Sequence, residues 1–151
     1  MIADAREIGL VVVVEAGDAA QQRLEAVLGA VSAQTVLIRP SPGRQLDPGA
    51  VKALISIAQK RGAAALVAND ASLARTLRAD GVHLDWSPSC AEDYAAARDV
   101  VGNGAIVGCD AGRSRHDAME LAELGADYVA FSRRDDAPGQ LELAEWWGEI
   151  F

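Results

Sequence analysis

Acidic, amide and basic side chains follow several apolar segments of the sequence, each at the point where the segment ends. Asn69 and Asp70 come after the segment Ala64–Val67, and Asp85 comes after Val82–Leu84. Carboxylates that converge at such positions could hold Mg²⁺ through oxygen ligands, and arginines there could bind phosphate through paired N–H groups. The other residues of this kind are Glu15, Arg39, Asp110, Arg113, Ser132, Arg133 and Arg134.

Asn69 and Asp70 also suit the first residue of a helix. A short side-chain oxygen at this position accepts a hydrogen bond from a backbone N–H that has no partner within the helix. Asp18 and Ser114 have the same pattern and are predicted as helix caps. The interpretations as caps and as ligands therefore both stay open.

The two histidines and two cysteines give weaker indications. His83 lies in an apolar segment, where it is either a buried histidine with its polar atoms satisfied or a ring that contacts a ligand. His116 lies near the start of a predicted helix and is interpreted as solvent-facing. Cys90 and Cys109 lack the spacing of metal ligands, so we expect small buried side chains and a reducing compartment.

The apolar pattern alternates between short β-branched runs and stretches with helical periodicity. Continuous apolar strands indicate a sheet that is covered on both faces, and therefore parallel strands. The predicted strands are Leu10–Val14, Thr35–Ile38, Ala64–Val67, Val82–Leu84, Ala105–Gly108 and Tyr128–Phe131. The predicted helices are Asp18–Val31, Pro48–Lys60, Ser72–Ala79, Ala91–Val101, Ser114–Leu124 and Leu141–Ile150.

The length of 151 residues predicts one α/β domain over residues 1–151. The net charge of −8 argues against binding to nucleic acid. The longest apolar run near the start, Ile8–Val14, is too short to cross a membrane. We therefore expect a cytoplasmic protein with no membrane partner.

Six β/α units are more than the five of a flavodoxin-like sheet and fewer than the eight of a closed barrel. The sequence ends in "ELAEWWGEIF", without the glycine or basic residues that usually end a helix. This ending predicts that the sequence is part of a longer chain with further strands.

Two segments together resemble the thiamine phosphate synthase and thiazole tautomerase superfamily. In "ALVANDASLARTLRADGVHL" a strand ends in Asn-Asp, a short helix follows, and the next strand reads Asp-Gly-Val-His-Leu, as in that family. Downstream, "AIVGCDAG" and "AMELAELGADYVAFS" resemble its fifth strand, helix and sixth strand. The resemblance covers Thr35 to Ser132 and is strongest to a divergent bacterial synthase-like subgroup.

The resemblance implies a (β/α)8 TIM barrel that joins hydroxymethylpyrimidine diphosphate to thiazole phosphate and releases pyrophosphate with the help of Mg²⁺. It implies that Arg39 and Asn69 bind pyrophosphate, that Asp70 binds the metal, and that His83 lies near the pyrimidine. Because the reaction is dissociative, the protein must stabilise the charge of the leaving group and needs no nucleophile of its own.

Several motif positions of the family differ here. The glutamine and lysine that flank the arginine of strand two are absent around Arg39, Pro88 stands where the second metal-binding aspartate is expected, and Asp110 replaces a serine. The loop after strand six reads "RRDDAPGQ". Asp85 or Asp110 could complete a metal site with Asp70, and Arg113, Arg133 and Arg134 could replace the lysines.

The resemblance therefore implies a synthase-like transferase of thiamine biosynthesis, with Asp70 and Asp85 as the expected metal ligands. The predicted substrate-binding residues are Arg39, Asn69, His83, Asp110 and Arg113. The alternatives are a non-catalytic barrel that binds phosphate or other anions in a regulatory or partner role, and a thiazole tautomerase that uses His116. Because the first and sixth strands lack neighbours, we also expect self-association or a C-terminal segment that closes the barrel.

Overall fold

The computed structural model describes residues 8–132 and 137–151. The described chain groups into two compact units, Met1–Val67 and Ala68–Phe151. Each unit is described below by itself, and the single domain stays a prediction.

Six strands and six helices alternate along the described residues, as the sequence predicts. In chain order they are β1 (Val11–Glu15), α1 (Ala20–Ala30), β2 (Thr35–Arg39), α2 (Pro48–Lys60), β3 (Ala64–Ala68), α3 (Ala71–Thr76), β4 (Gly81–Leu84), α4 (Cys90–Val101), β5 (Ile106–Asp110), α5 (Arg115–Leu124), β6 (Tyr128–Ala130) and α6 (Ala137–Ile150). No helix of the described residues is long and apolar enough to span a membrane.

In the first unit β2 pairs in parallel with both β1 and β3. The register places Val14 opposite Ile38, and Ile38 opposite Val67. An open flavodoxin-like sheet would place β1 between β2 and β3 instead. The consecutive order is that expected of barrel strands, and it contradicts an open sheet that reverses at its first strand.

The interior of the first unit is made by the middle of each strand and one face of each helix. Val36 and Ile38 of β2 are fully buried, and Leu24 of α1 and Leu54 of α2 are 1% exposed. The central strand thus excludes water on both sides, in agreement with its continuous apolar sequence.

In the second unit β5 pairs in parallel with both β4 and β6. The register places His83 opposite Gly108, and Gly108 opposite Tyr128. These three residues therefore form one row across neighbouring strands, with side chains on the same face.

The bounds of five helices differ from the prediction, and the larger differences are in α1, α3 and α6. Helix α1 begins at Ala20 with Ala19 as its N-cap, and no side chain caps it, so the prediction of Asp18 as a cap is wrong. Helix α3 ends at Thr76 rather than Ala79, because Arg78 has a left-handed backbone with φ of +57°. Helix α6 covers Ala137–Ile150 and so includes residues before the predicted start at Leu141.

Candidate functional site

Asn69 joins the chain after β3 to the end of β4. Its backbone N–H donates to the carbonyl of His83 over 2.8 Å. Its side-chain Nδ2 donates to Asp85 Oδ2 over 2.9 Å, and the Asp85 backbone N–H donates back to Asn69 Oδ1 over 2.8 Å. Asn69 has φ of +56°, a left-handed conformation that asparagine tolerates better than most residues. This pairing fixes the position of the Asp85 carboxylate.

Asp70 is the N-cap of α3, as one of the two interpretations predicted. Its Oδ1 accepts a hydrogen bond from the Leu73 backbone N–H over 2.8 Å. The cap engages one oxygen, and an ionised carboxylate offers about four lone-pair sites. Capping and ligand binding by Asp70 are therefore compatible.

Asp70 and Asp85 line the same cavity of about 450 Å³. Asn69 lines it as well, together with the first turn of α3 and one face of α4. Mg²⁺ is usually held by one or two carboxylates, with water and substrate phosphates in the remaining positions. Two carboxylates on one cavity are compatible with that ion, and Asp70 and Asp85 as its ligands stay a prediction.

His83 is buried, with 6% of its surface exposed. Its Nδ1 lies 2.7 Å from the hydroxyl oxygen of Tyr128, and its Nε2 lies 3.7 Å from Asp85 Oδ1. The rings of His83 and Tyr128 are stacked, with centroids 5.8 Å apart and an interplanar angle of 16°. His83 is thus buried with a partner at Nδ1, as one of the two interpretations predicted, and its contact with a ligand stays a prediction.

Gly108 makes the contact between His83 and Tyr128 possible. A Cβ atom at residue 108 would collide with the ring of Tyr128. The tyrosine ring therefore lies across the glycine and reaches the histidine on the far strand. Burial, followed by the neighbouring Cys109, raises the pKa of Tyr128 well above its usual range, so the hydroxyl keeps its proton.

Asp110 ends β5 and is 5% exposed. Its Oδ1 accepts from the backbone N–H of Gly112 over 2.7 Å and of Ser132 over 3.3 Å, and the Ser132 hydroxyl donates to Oδ2. Burial raises the pKa of Asp110, although the two N–H groups and His83 act in the opposite direction. Asp110 thus joins the loops that follow β5 and β6.

Trp86, which the sequence did not indicate, covers the loop after β5. Its Nε1 donates to Asp117 Oδ2 over 3.0 Å, and its ring would lie 3.0 Å from a Cβ at Gly112.

The nearby Arg113 is exposed. His116 is also exposed and lies on α5 with Asp117 and Glu120, whose possible ligand atoms all lie within 4.8 Å of one another.

The remaining candidates are placed as follows. Arg39 is the last residue of β2, half-buried and in register with Glu15 of β1, and it belongs to the first unit. Arg133 and Arg134 lie outside the described residues.

Cys90 and Cys109 are both buried, as predicted. Burial raises the pKa of both thiols, that of Cys109 to about 12, so both stay protonated near neutral pH.

Tyr128 is the residue of this cluster that the sequence reasoning missed. It lies 45 residues from His83 along the chain. The available signal was the glycine in the middle of the fifth strand, since a glycine inside a strand often marks a close approach of another group.

The chain is similar to several known proteins in sequence and in fold. The sequence model of the thiamine monophosphate synthase family matches residues 10–142. A thiamine-phosphate synthase of Hyphomonas neptunium is 41% identical over 102 residues, which are 63% of this chain and 45% of that protein. One of Erythrobacter litoralis is 43% identical over 100 residues, 58% of this chain and 44% of that protein.

The structure resembles a thiamine phosphate pyrophosphorylase of Pyrococcus furiosus. The TM-score is 0.66 at 19% identity, over 86% of this chain and 62% of that one. The likeness confirms the predicted (β/α)8-barrel type with six β/α units. The matched part of this chain spans about half the length or less of the two bacterial synthases. Since the family model covers most of the sequence, the chain belongs to the thiamine monophosphate synthase family.

Proposed function

We propose that this chain acts as a thiamine-phosphate synthase, a transferase that joins hydroxymethylpyrimidine diphosphate to thiazole phosphate and releases pyrophosphate. The observation that carries the proposal is the shared cavity of Asp70 and Asp85, in which Asn69 holds Asp85 in place. The family membership supplies the reaction, and the cavity supplies a place for the leaving group.

The chemistry asks the protein to stabilise the negative charge that develops on the departing pyrophosphate. Mg²⁺, when bound, supplies positive charge to these phosphate oxygens. Asp70 and Asp85 would hold the ion, and the Asn69 amide keeps the Asp85 carboxylate oriented. No covalent intermediate with the protein is needed, in agreement with the raised pKa values of the two buried thiols.

The other polar residues have narrower roles in this proposal. Asn69 binds the pyrophosphate, His83 lies beside the pyrimidine, and Arg113 replaces one of the lysines of the family pattern. Arg39, in the first unit, stays a predicted phosphate-binding residue. Arg113 is supported by its place in the loop directly after β5 and by its exposed side chain.

A barrel that binds anions without catalysis is the second candidate, and Asp110 favours the loss of catalysis. Its carboxylate takes up the backbone N–H groups of Gly112 and Ser132. Such N–H groups at the end of a strand would otherwise be suited to bind phosphate oxygens. A thiazole tautomerase would depend on His116. This residue is exposed on α5, which adds no support for the tautomerase.

Calorimetric titration of pyrophosphate, with and without Mg²⁺, tests the site. The variants are Asp70→Asn and Asp85→Asn, which remove the charge but keep an oxygen that can accept hydrogen bonds. Asp47→Asn is the matched control, because Asp47 caps α2 in the same way, through a bond of 2.8 Å from Ala50.

We expect Mg²⁺-dependent binding to the wild type and the control, and at least tenfold weaker binding to both site variants. Binding that is equal in all four proteins would overturn the proposed site. Release of pyrophosphate in the presence of both substrates then separates the two candidates: binding with turnover supports the transferase, and binding without turnover supports the anion-binding role.

Self-association and a cytoplasmic location complete the proposal. Among the described residues β1 pairs with β2 alone, and the side chains of Val11 and Val13 are 60% and 56% exposed. An unpaired strand edge with exposed valines favours contact with a second copy of the chain.

A further inference from the structure

We infer that Tyr128 is a positioning residue for His83. Its hydroxyl donates to Nδ1 and holds the neutral imidazole as the tautomer that carries its proton on Nε2. The tautomer is a property of the protein without substrate. Only its consequence for binding of the pyrimidine rests on the proposed function.

The two nitrogens of His83 have different neighbours. Nδ1 faces the Tyr128 hydroxyl at 2.7 Å, and Nε2 faces the Asp85 carboxylate at 3.7 Å. A neutral imidazole has one donor and one acceptor nitrogen, whereas an ionised carboxylate only accepts. The carboxylate therefore favours the proton on Nε2, which leaves Nδ1 as the acceptor and the tyrosine as the donor.

The surroundings of Tyr128 keep its hydroxyl in this role. The hydroxyl stays protonated because the side chain is buried. The strand register aligns His83, Gly108 and Tyr128, and the tyrosine ring lies across Gly108. A residue larger than glycine at position 108 would displace this ring. The near-parallel stacking of the two rings limits the rotation of the imidazole as well.

Asp85 follows His83 by two residues along the chain, and Asn69 holds it through two hydrogen bonds. The imidazole therefore lies between Tyr128, whose ring is held against Gly108, and Asp85, which is held by Asn69. Nε2 of this tautomer is a hydrogen-bond donor. The pyrimidine atom beside His83 is therefore an acceptor, such as a ring nitrogen.

Nitrogen-15 NMR of histidine-labelled protein tests the inference without substrate or turnover. The chain has two histidines, so the variant His116→Gln leaves His83 as the sole signal. Spectra are recorded at about pH 8, above the ordinary histidine pKa of about 6.5. We expect a protonated Nε2 and an unprotonated Nδ1 that accepts a hydrogen bond. A protonated Nδ1 would overturn the inference.

Tyr128→Phe in the same background removes the donor. We expect the Nδ1 signal to move to the position of a nitrogen that accepts no hydrogen bond, with the amide spectrum of the folded protein retained. Tyr94→Phe is the control, because Tyr94 is the other tyrosine and is buried, but its hydroxyl accepts from Arg98. An unchanged Nδ1 signal in Tyr128→Phe would contradict the inference.

If Tyr128→Phe does not fold, the spectrum of the His116→Gln protein alone still decides which nitrogen carries the proton. With both substrates present, Tyr128→Phe is expected to raise KM for the pyrimidine diphosphate several-fold more than it lowers kcat. Failure of turnover in the wild type would contradict the proposed function and leave the NMR result standing, so the two failures are distinguishable.

Discussion

Asn69 and Asp85 bind each other through two hydrogen bonds of 2.9 and 2.8 Å, one donated by each residue. The next residue, Asp70, takes no part in this pair and caps α3. The two adjacent residues therefore have different structural roles. Asn69 joins the end of β3 to the end of β4, and Asp70 caps α3. Both side chains still face the cavity proposed for pyrophosphate.

The first prediction concerns the conformation of Asn69. Asn69→Gly loses the side-chain bonds to Asp85 but accepts φ of +56° without strain. We expect a loss of about 1 kcal/mol in the free energy of unfolding, because these bonds are partly exposed. Asn69→Ala adds left-handed strain and is expected to lose about 2 kcal/mol in total. Urea unfolding measures both, and an alanine variant as stable as the wild type would contradict the prediction.

The second prediction concerns the pH dependence that Asp110 gives to stability. Its folded-state pKa is raised above 3.8 by burial, so the folded protein binds the proton more tightly than the unfolded chain. The wild type therefore loses stability as pH rises from the unfolded pKa through the folded one, by about 1.4 kcal/mol per unit of difference.

Asp110→Asn keeps the size of the side chain and abolishes this titration. The stability of the variant relative to the wild type should increase as pH rises through the same window and stay constant above it. Thermal melts from pH 4 to pH 8 measure this, with the exposed Asp99→Asn as control. A relative stability that does not change with pH, or that falls, would refute the prediction.

The sequence predicted those features that depend on local patterns. Continuous apolar runs gave all six strands, and Ser114 was correctly predicted as the cap of α5, where its hydroxyl accepts from Asp117 over 3.0 Å. The cap at Asp18 failed because Ala19 adopts a left-handed backbone and begins α1 without a side-chain cap. Nothing in the local sequence indicates that conformation.

The contacts within the site depend on register between strands, which periodicity does not report. Tyr128 meets His83 because β4, β5 and β6 align both residues with Gly108. Trp86 meets Asp117 across 31 residues of chain for a similar reason. The family resemblance identified Asn69, Asp70 and His83 from their motif, but it said nothing about which atoms they contact.

The third prediction concerns self-association through the exposed edge of β1. We expect the wild type to show a mass above 15.8 kDa in light scattering. Val13→Glu places a charge on the exposed edge and should restore the monomer, since charged side chains block edge pairing. Val31→Glu, at the end of α1 and 39% exposed, is the control. A monodisperse wild-type monomer would refute this prediction.

The last prediction concerns Asp127, which lies in the Gly-Ala-Asp-Tyr motif just before Tyr128. Its Oδ2 accepts from Arg98 Nη2 over 2.7 Å and from the Val107 backbone N–H over 2.8 Å. Burial works against the charge of Arg98, but the hydrogen bonds that Arg98 donates to its neighbours, chiefly to Asp127, raise its pKa above the usual value. Asp127 thus joins α4 to the strands β5 and β6.

Asp127→Ala leaves the N–H of the fully buried Val107 and the guanidinium of Arg98 without this partner. We expect a loss of about 2–4 kcal/mol in the free energy of unfolding, since an unsatisfied buried donor costs about 1–3 kcal/mol and the charge adds to it. Asp127→Asn should lose about half as much, because its amide oxygen still accepts one bond. Asp99→Ala, an exposed aspartate on α4, is the control and should change stability by less than about 0.5 kcal/mol.

A double-mutant cycle with Arg98→Ala separates the two bonds of Asp127. If the ion pair carries most of the loss, the cost of Asp127→Ala falls by more than half once Arg98 is absent. If the Val107 N–H carries it, the two losses add. Because the strands that Asp127 joins also align Tyr128 with His83, Asp127→Ala should weaken the hydrogen-bonded Nδ1 signal of His83 as well. A variant with wild-type stability and an unchanged Nδ1 signal would show that Asp127 does not hold this part of the sheet.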